Sequence, residues 1–132
     1  IINAEVTATN DVKLDATTAE VNAEIKADND ISINVSDNAL VNADILAKHN
    51  VDIISYKDVT INASANVTAS NEVKLDIVSD ANVGGTIDAN SIVVQVKDGD
   101  VNLGAESELL ADETASIENI NGDIFGADAS LV

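Results

Sequence analysis

The sequence predicts an all-β fold, a single-stranded parallel β-helix (β-solenoid) of about six to seven coils with a repeat of about 20 residues. Three observations carry this expectation. The stretch VTATNDVKLD at 6–15 returns almost unchanged as VTASNEVKLD at 67–76, with looser copies between and after them. Within each copy apolar and polar residues alternate, the period of a strand. Proline is absent, so every residue keeps the N–H that a continuous ladder uses.

Taken in order, the units start near Ile2, Val21, Val41, Ala63, Val83 and Val101, and share the frame apolar, Asn, Ala, acidic, apolar, any, Ala. In the second unit Val21, Ala23, Ile25 and Ala27 make one alternating run, and Ile31, Ile33 and Val35 make another. Between them Asp28-Asn29-Asp30 is a polar pivot of the kind that suits turns. Each unit therefore reads as strand, corner, strand, corner, with a variable return segment. Two short strands bury little by themselves, so like strands must stack in parallel, about 4.8 Å apart, into a rod roughly 30 Å long. Two inward columns are expected, Val6/Ile25/Ile45/Val67/Ile87 and Ala8/Ala27/Ala47/Ala69/Ala89, with Glu5, Lys13, Asp15, Glu24, Lys26, Asp44, Glu72 and Lys74 outside. Two polar ladders are expected as well: Asn10/Asn29/His49/Asn71, and Asn3/Asn22/Asn42 resuming at Asn102. An antiparallel sandwich also uses many short strands, but nothing in it demands the same Asn and Ala at the same offsets.

One domain spans 1–132, with regular coils over 2–100 and irregular coils or a cap or junction over 101–132. In the last part Leu103, Ala105, Ile117, Ile124 and Leu131 keep an uneven apolar spacing. The stretch 107–120 reads as a continued, irregular coil, with a short helix capped by Ser107 as the alternative.

Composition narrows the function classes. Aromatics are 2% of the chain, Tyr56 and Phe125, so the core is built from Ala, Val, Ile and Leu. A net charge of −18, from 24 acidic residues against 6 lysines and no arginine, is the reverse of a nucleic-acid footprint and disfavours anionic membranes. The same charge opposes lateral sticking of sheet edges. Without cysteine there is no thiol chemistry. No apolar run approaches 18 residues, so no membrane insertion is expected. The chain starts at Ile1 without methionine, which suits a processed form or an excised segment.

No catalytic or cofactor-binding residues are expected, and the chain is read as a non-enzyme. His49, the single histidine, has no second His or Cys for a zinc site and reads as a polar ladder residue. The paired carboxylates Asp28/Asp30, Asp98/Asp100 and Asp112/Glu113 read as solvated faces, since acid–base work needs two carboxylates in a cleft with separated pKa values. The corners Asp28-Asn29-Asp30, Asp98-Gly99-Asp100 and Asn121-Gly122-Asp123 offer hard oxygen ligands, which suit weak calcium binding or, more simply, ordinary turns. Gly84-Gly85-Thr86-Ile87-Asp88 lacks the glycine and aspartate repetition of calcium-binding nonapeptides. Three glycosylation sequons begin at Asn34, Asn62 and Asn66, about the number that chance gives in so Asn-, Ser- and Thr-rich a chain.

The units INAEVTATNDVKLDA and VNAEIKADNDISINV resemble, over 2 to about 100, the repeat tracts of filamentous-haemagglutinin-like adhesins, large β-helical bacterial surface proteins. That resemblance implies an exported, elongated stalk that holds a binding tip away from the cell. The segments NVGGTIDANSIVV from Asn82 and GDIFGADASLV from Gly122 look like coils of bactofilins, β-helical proteins that polymerise end to end as a cytoskeleton. The expected role is thus a structural building block of an extracellular filament, sheath or adhesin stalk, self-associating head to tail, with cell-surface or glycan contacts. A cytoplasmic bactofilin-like polymer is the alternative, and a carbohydrate-binding or polysaccharide-degrading β-helix a further one.

Overall fold

The computed structural model describes residues 1–126 and the backbone of the strand Ser130–Leu131. All regular structure in these residues is β, and every strand pairs in parallel with its counterpart one coil away, giving a parallel β-solenoid of about six turns. Equivalent positions run Ile2, Val21, Val41, Ile61, Val83, Leu103 and Gly126. We number the coils one to six from the first six of these.

Each coil has three faces. The first stacks Val6–Ala8 (β1), Ile25–Ala27 (β4), Ile45–Ala47 (β7) and Asn66–Ala69 (β10). On the second lie Val12–Ala16 (β2), Ile31–Val35 (β5), Asn50–Ser55 (β8) and Glu72–Ile77 (β11). The third stacks Ala19–Val21 (β3), Ala39–Val41 (β6), Val59–Ile61 (β9), Ala81–Val83 (β12), Val101–Leu103 (β14) and Ile124–Gly126 (β16). In coils five and six the first two faces fuse into single strands, Thr86–Val96 (β13) and Glu108–Asn119 (β15), and Ser130–Leu131 (β17) adds to the latter.

The expected run from Val21 to Ala27 is therefore two strands, with a corner at Asn22-Ala23-Glu24, and the return segment is a strand of its own. A three-residue corner leaves Val21 and Ile25 on the same parity, both inward and buried, so alternation passes through the bend without a mark. The units anchored at Ala63 and Val101 shift to Ile61 and Leu103. The first shift traces to a tight turn that widens the corner after Ile61, closed by Ala65 N–H to Asn62 O, and the second to Val101-Asn102 repeating the letters of Val21-Asn22 two residues ahead of the equivalent position.

Both inward columns form. Val6, Ile25, Ile45, Val67, Ile87 and Leu109 stack in register, and the alanine column pairs Ala8, Ala27, Ala47 and Ala69 before Ala89 pairs with Ala111. Among the described residues the core is aliphatic except for Ser55 and Ser107. Ser55 replaces an apolar residue between Val35 and Ile77 and is satisfied locally, its hydroxyl donating to Asp37 O and accepting from Lys57 N–H. The outward set stands at the surface or half-buried on it.

The 107–120 stretch is strand, not helix. Leu109 pairs with Ile87 and Ile117 with Val94, so stacking on coil five outweighs local helix preference. Ser107 is buried, and its hydroxyl donates to Gly104 O rather than capping a helix. The irregularity expected here is a bulge: one residue, Asn90, faces two, Asp112 and Glu113. The bactofilin-like segment beyond Gly126, apart from the backbone of β17, lies outside the described residues.

Two substitutions test the stacking. Val67 is fully buried between Ile45 and Ile87, so Val67→Asp should destabilise by on the order of 4 kcal/mol or prevent folding, because the charge has no partner there. Lys74→Ser, on an outward position, should stay within about 0.5 kcal/mol. Urea unfolding followed by far-ultraviolet circular dichroism measures both, and equal tolerance would contradict the inward and outward assignment.

Candidate functional site

At a solenoid corner the chain leaves the strand ladder, and its peptide N–H needs an acceptor from elsewhere. Here the acceptor is a side chain of the coil below. Asn38 Oδ1 accepts from Asp58 N–H, Asp58 Oδ1 from Asp80 N–H (3.1 Å), Asp80 Oδ1 from Asp100 N–H (2.8 Å) and Asp100 Oδ1 from Asp123 N–H (2.9 Å). A second corner repeats the device, Asp11 Oδ1 serving Asp30 N–H and Asp30 Oδ1 serving Asn50 N–H. At the third, Asp44 Oδ1 accepts from both the backbone N–H and the side chain of Asn66, at 2.9 Å each.

Stacking carboxylates in this way has an electrostatic cost. Two charges about 4.8 Å apart repel by about 1 kcal/mol in water, and salt lowers this further. A hydrogen bond from an N–H to a charged acceptor contributes about 1.5–3 kcal/mol, so the column is stable as a charged ladder.

The sequence-selected carboxylates are largely these corner residues. Asp30 and Asp100 act as acceptors for the next coil, Asp28 pairs with Lys48 at 2.6 Å, and Asp98 Oδ1 accepts from Asn121 Nδ2. Asp112 and Glu113 form the exposed bulge. Among the described residues no three His, Asp or Glu side chains converge in a metal-holding group. His49 lies in the predicted corner column, where the backbone N–H groups of Asn29, His49 and Asn71 donate to the carbonyls of Asn10, Asn29 and His49. Its side chain is exposed, with Nδ1 3.0 Å from Asp30 Oδ1.

The polar ladders differ from the expected ones in their partners. Asn29 reaches Asp11 and Asn71 reaches Asn50, so in this column the amides bond diagonally to the next position of the coil below. The other ladder is amide to amide: Asn22 donates to Asn3 (2.9 Å), Asn42 to Asn22 (2.7 Å) and Asn62 to Asn42. Asn102 does not resume it. It bonds Asn82 at 3.0 Å in a neighbouring column, two residues away. The ladder position above Asn62 is Gly84 and then Gly104, whose N–H groups repeat the bonds made by the asparagines. Where the amides stop, a shallow groove of about 280 Å³ opens over Asn62, Gly84 and Gly104, flanked by Thr60, Asn82 and Asn102.

Asn34 of the sequons points outward from β5, Asn62 belongs to the ladder and Asn66 is held by Asp44. Sequence reasoning missed Asn119, an inward position whose Nδ2 donates to Gly99 O and Asp123 O and closes the corner of coil six. Its signal was a polar letter in the apolar column of Ile77 and Val96. The Lys26 ammonium is held above its ordinary value, first by its hydrogen bond to Glu24 and also by the charges of Glu24, Glu5 and Asp44.

Two predictions follow from the corners. Asp80→Asn retains the acceptor for Asp100 N–H and removes one repelling charge, so its stability should equal or exceed the parent's at low salt, whereas Asp80→Ala should lose about 1–2 kcal/mol in urea unfolding. Gly85 is glycine because a Cβ there would lie 2.1 Å from Ala65 O and 2.6 Å from Asn62 O. Gly85→Ala should therefore cost more than about 2 kcal/mol by the same measurement.

Comparison of the chain with protein-family models, curated proteins and solved structures finds no match. Its architecture is what classifies it: the chain is a parallel β-solenoid whose corners are held by side-chain ladders.

Proposed function

We propose that the chain is a non-enzymatic structural element, a β-solenoid building block of an extracellular filament, sheath or adhesin stalk that stacks end to end. The observation that carries this reading is the uniform parallel stacking, in which each strand pairs with its counterpart one coil away and inward residues stack in unbroken aliphatic columns. Every coil of such a stack presents the same kind of edge to the next, and repeated addition without closure makes a fibre.

The corner chemistry supports the same reading, because the corner carboxylates of Asp11, Asp30, Asp44, Asp58, Asp80 and Asp100 are engaged in holding coils together. Their outward oxygens would gather cations, calcium included, only weakly. The repeat frame that resembles adhesin stalks supports the cell surface. The bactofilin-like coils would place the same rod in the cytoplasm, and immunolocalisation of the full-length gene product separates the two.

Electron microscopy and fibre diffraction of the purified chain, with and without calcium, test the assembly. The expected result is unbranched fibres with an axial repeat of about 4.8 Å. Discrete monomers at all concentrations, or monomers that bind a glycan, would sink it.

A further inference from the structure

The corner Asn121-Gly122-Asp123 joins the second face of coil six to the third, and it holds the single Asn-Gly pair of the sequence. Both residues of the pair are exposed. Elsewhere the N–H that follows an asparagine is often tied to the coil below, as Ser91 N–H, which follows Asn90, donates to Asn71 O at 2.8 Å. Among the described residues no acceptor takes the N–H of Gly122. Its nitrogen is therefore free to approach the side chain that precedes it, and glycine has no Cβ to hinder that approach.

The Asn121 side chain is held by one contact, Nδ2 donating to Asp98 Oδ1 at 2.9 Å. At an exposed corner such a bond exchanges readily with water. The amide ladder is built differently. Asn22 and Asn42 each donate to the coil below and accept from the coil above, and each is followed by alanine, whose Cβ crowds the approach of its nitrogen. The ladder amides are thus fixed, and the amide of Asn121 is not.

We propose that Asn121 is a self-modification site, at which the folded chain converts its own amide to aspartate and isoaspartate with water as the only co-reactant, and that the conversion unlocks the corner between coils five and six. The Gly122 nitrogen, its proton taken by hydroxide, attacks Asn121 Cγ. The N–Cγ bond forms, the Cγ–Nδ2 bond breaks, and Nδ2 takes a proton from water and leaves as ammonia, giving a cyclic imide. Water then opens the ring. Attack at Cγ gives aspartate on an unchanged backbone, and attack at the main-chain carbonyl carbon of residue 121 leaves the chain running through Cγ, one carbon longer. Either product replaces the donor to Asp98 with a carboxylate facing it. The longer backbone also lacks room, because Gly122 packs so closely on the coil below that a Cβ on it would collide with Gly99 O. Displacing Gly122 disturbs the bonds that close this corner, Asp123 N–H to Asp100 Oδ1 at 2.9 Å and Asn119 Nδ2 to Gly99 O and Asp123 O. Loss of ammonia makes the change one-way, and it proceeds in a single rod whether or not rods assemble.

Prolonged incubation of the folded chain in mildly alkaline buffer, followed by peptide mass spectrometry and an isoaspartate assay, tests the proposal. Asn121 should convert an order of magnitude faster than any other asparagine, and at a rate comparable to its rate in the chain unfolded by guanidinium. Asn90 is also followed by a small residue, but its following N–H is tied to Asn71 O, so it should convert in the unfolded chain alone. Converted chains, separated by ion exchange, should unfold at a lower urea concentration than unconverted ones. Asn121→Gln, aged alongside, should neither convert at residue 121 nor lose stability with time. Asn121 remaining intact in the folded chain while converting in guanidinium, Asn90 converting as fast as Asn121 in the folded chain, or equal urea midpoints for converted and unconverted chains would overturn the proposal.

Discussion

Each turn of this chain brings peptide N–H groups to corners where the parallel ladder offers them no carbonyl, and the whole rod depends on side chains of the adjacent coil to take those hydrogen bonds. Aspartate and asparagine do this at each of the three corners, most regularly along Asp58, Asp80, Asp100 and Asp123. Their reach is set by the strand spacing, so a corner residue serves the next coil only if the coils are in register. Register is then reinforced by the aliphatic columns inside. The two systems specify one another: slip by a single residue would misplace the caps and turn every inward side chain outward.

This dependence explains why so acidic a chain can be so regular. The carboxylates at the corners are hydrogen-bond acceptors before they are charges, and their mutual repulsion is smaller than the bonds they make. Most lysines sit beside them, as Lys48 beside Asp28 and Lys57 beside Asp37, at exposed positions where each pair contributes little. The remaining excess charge keeps the flat faces of one rod from those of another.

The aliphatic columns were legible because each stacked residue repeats its counterpart's type at a nearly fixed offset, as Val6, Ile25, Ile45, Val67 and Ile87 do. The Asn ladder was legible only as far as Asn42. Two residues added at the corner after Ile61 moved the frame, so Asn62 went unassigned, and Val101-Asn102 copies the letters of Val21-Asn22 two residues early, so Asn102 was placed in a column it does not join. At 107–120 the letters Glu, Leu and Ala favour helix locally, but the continued, irregular coil expected there is what forms, because the edge of coil five offers a strand ladder. Among the candidate sites, the chain showed which residues occupy the corners. It gave no indication that one carboxylate oxygen of Asp30, Asp80 and Asp100 binds a backbone N–H, because that acceptor role exists only between coils.

By itself the sequence determined the period, the strand character, the aliphatic core and the parallel stacking, since each of these is written in residue type and offset. Tertiary structure decided the number of faces, because a three-residue corner keeps the parity of inward residues and leaves no mark on alternation. It also decided which polar side chains bond to which, and where exposed apolar residues gather. Tyr56, Lys97 and Ile120 are scattered over three coils of sequence, and become one edge only when the winding brings them to the same corner of successive turns.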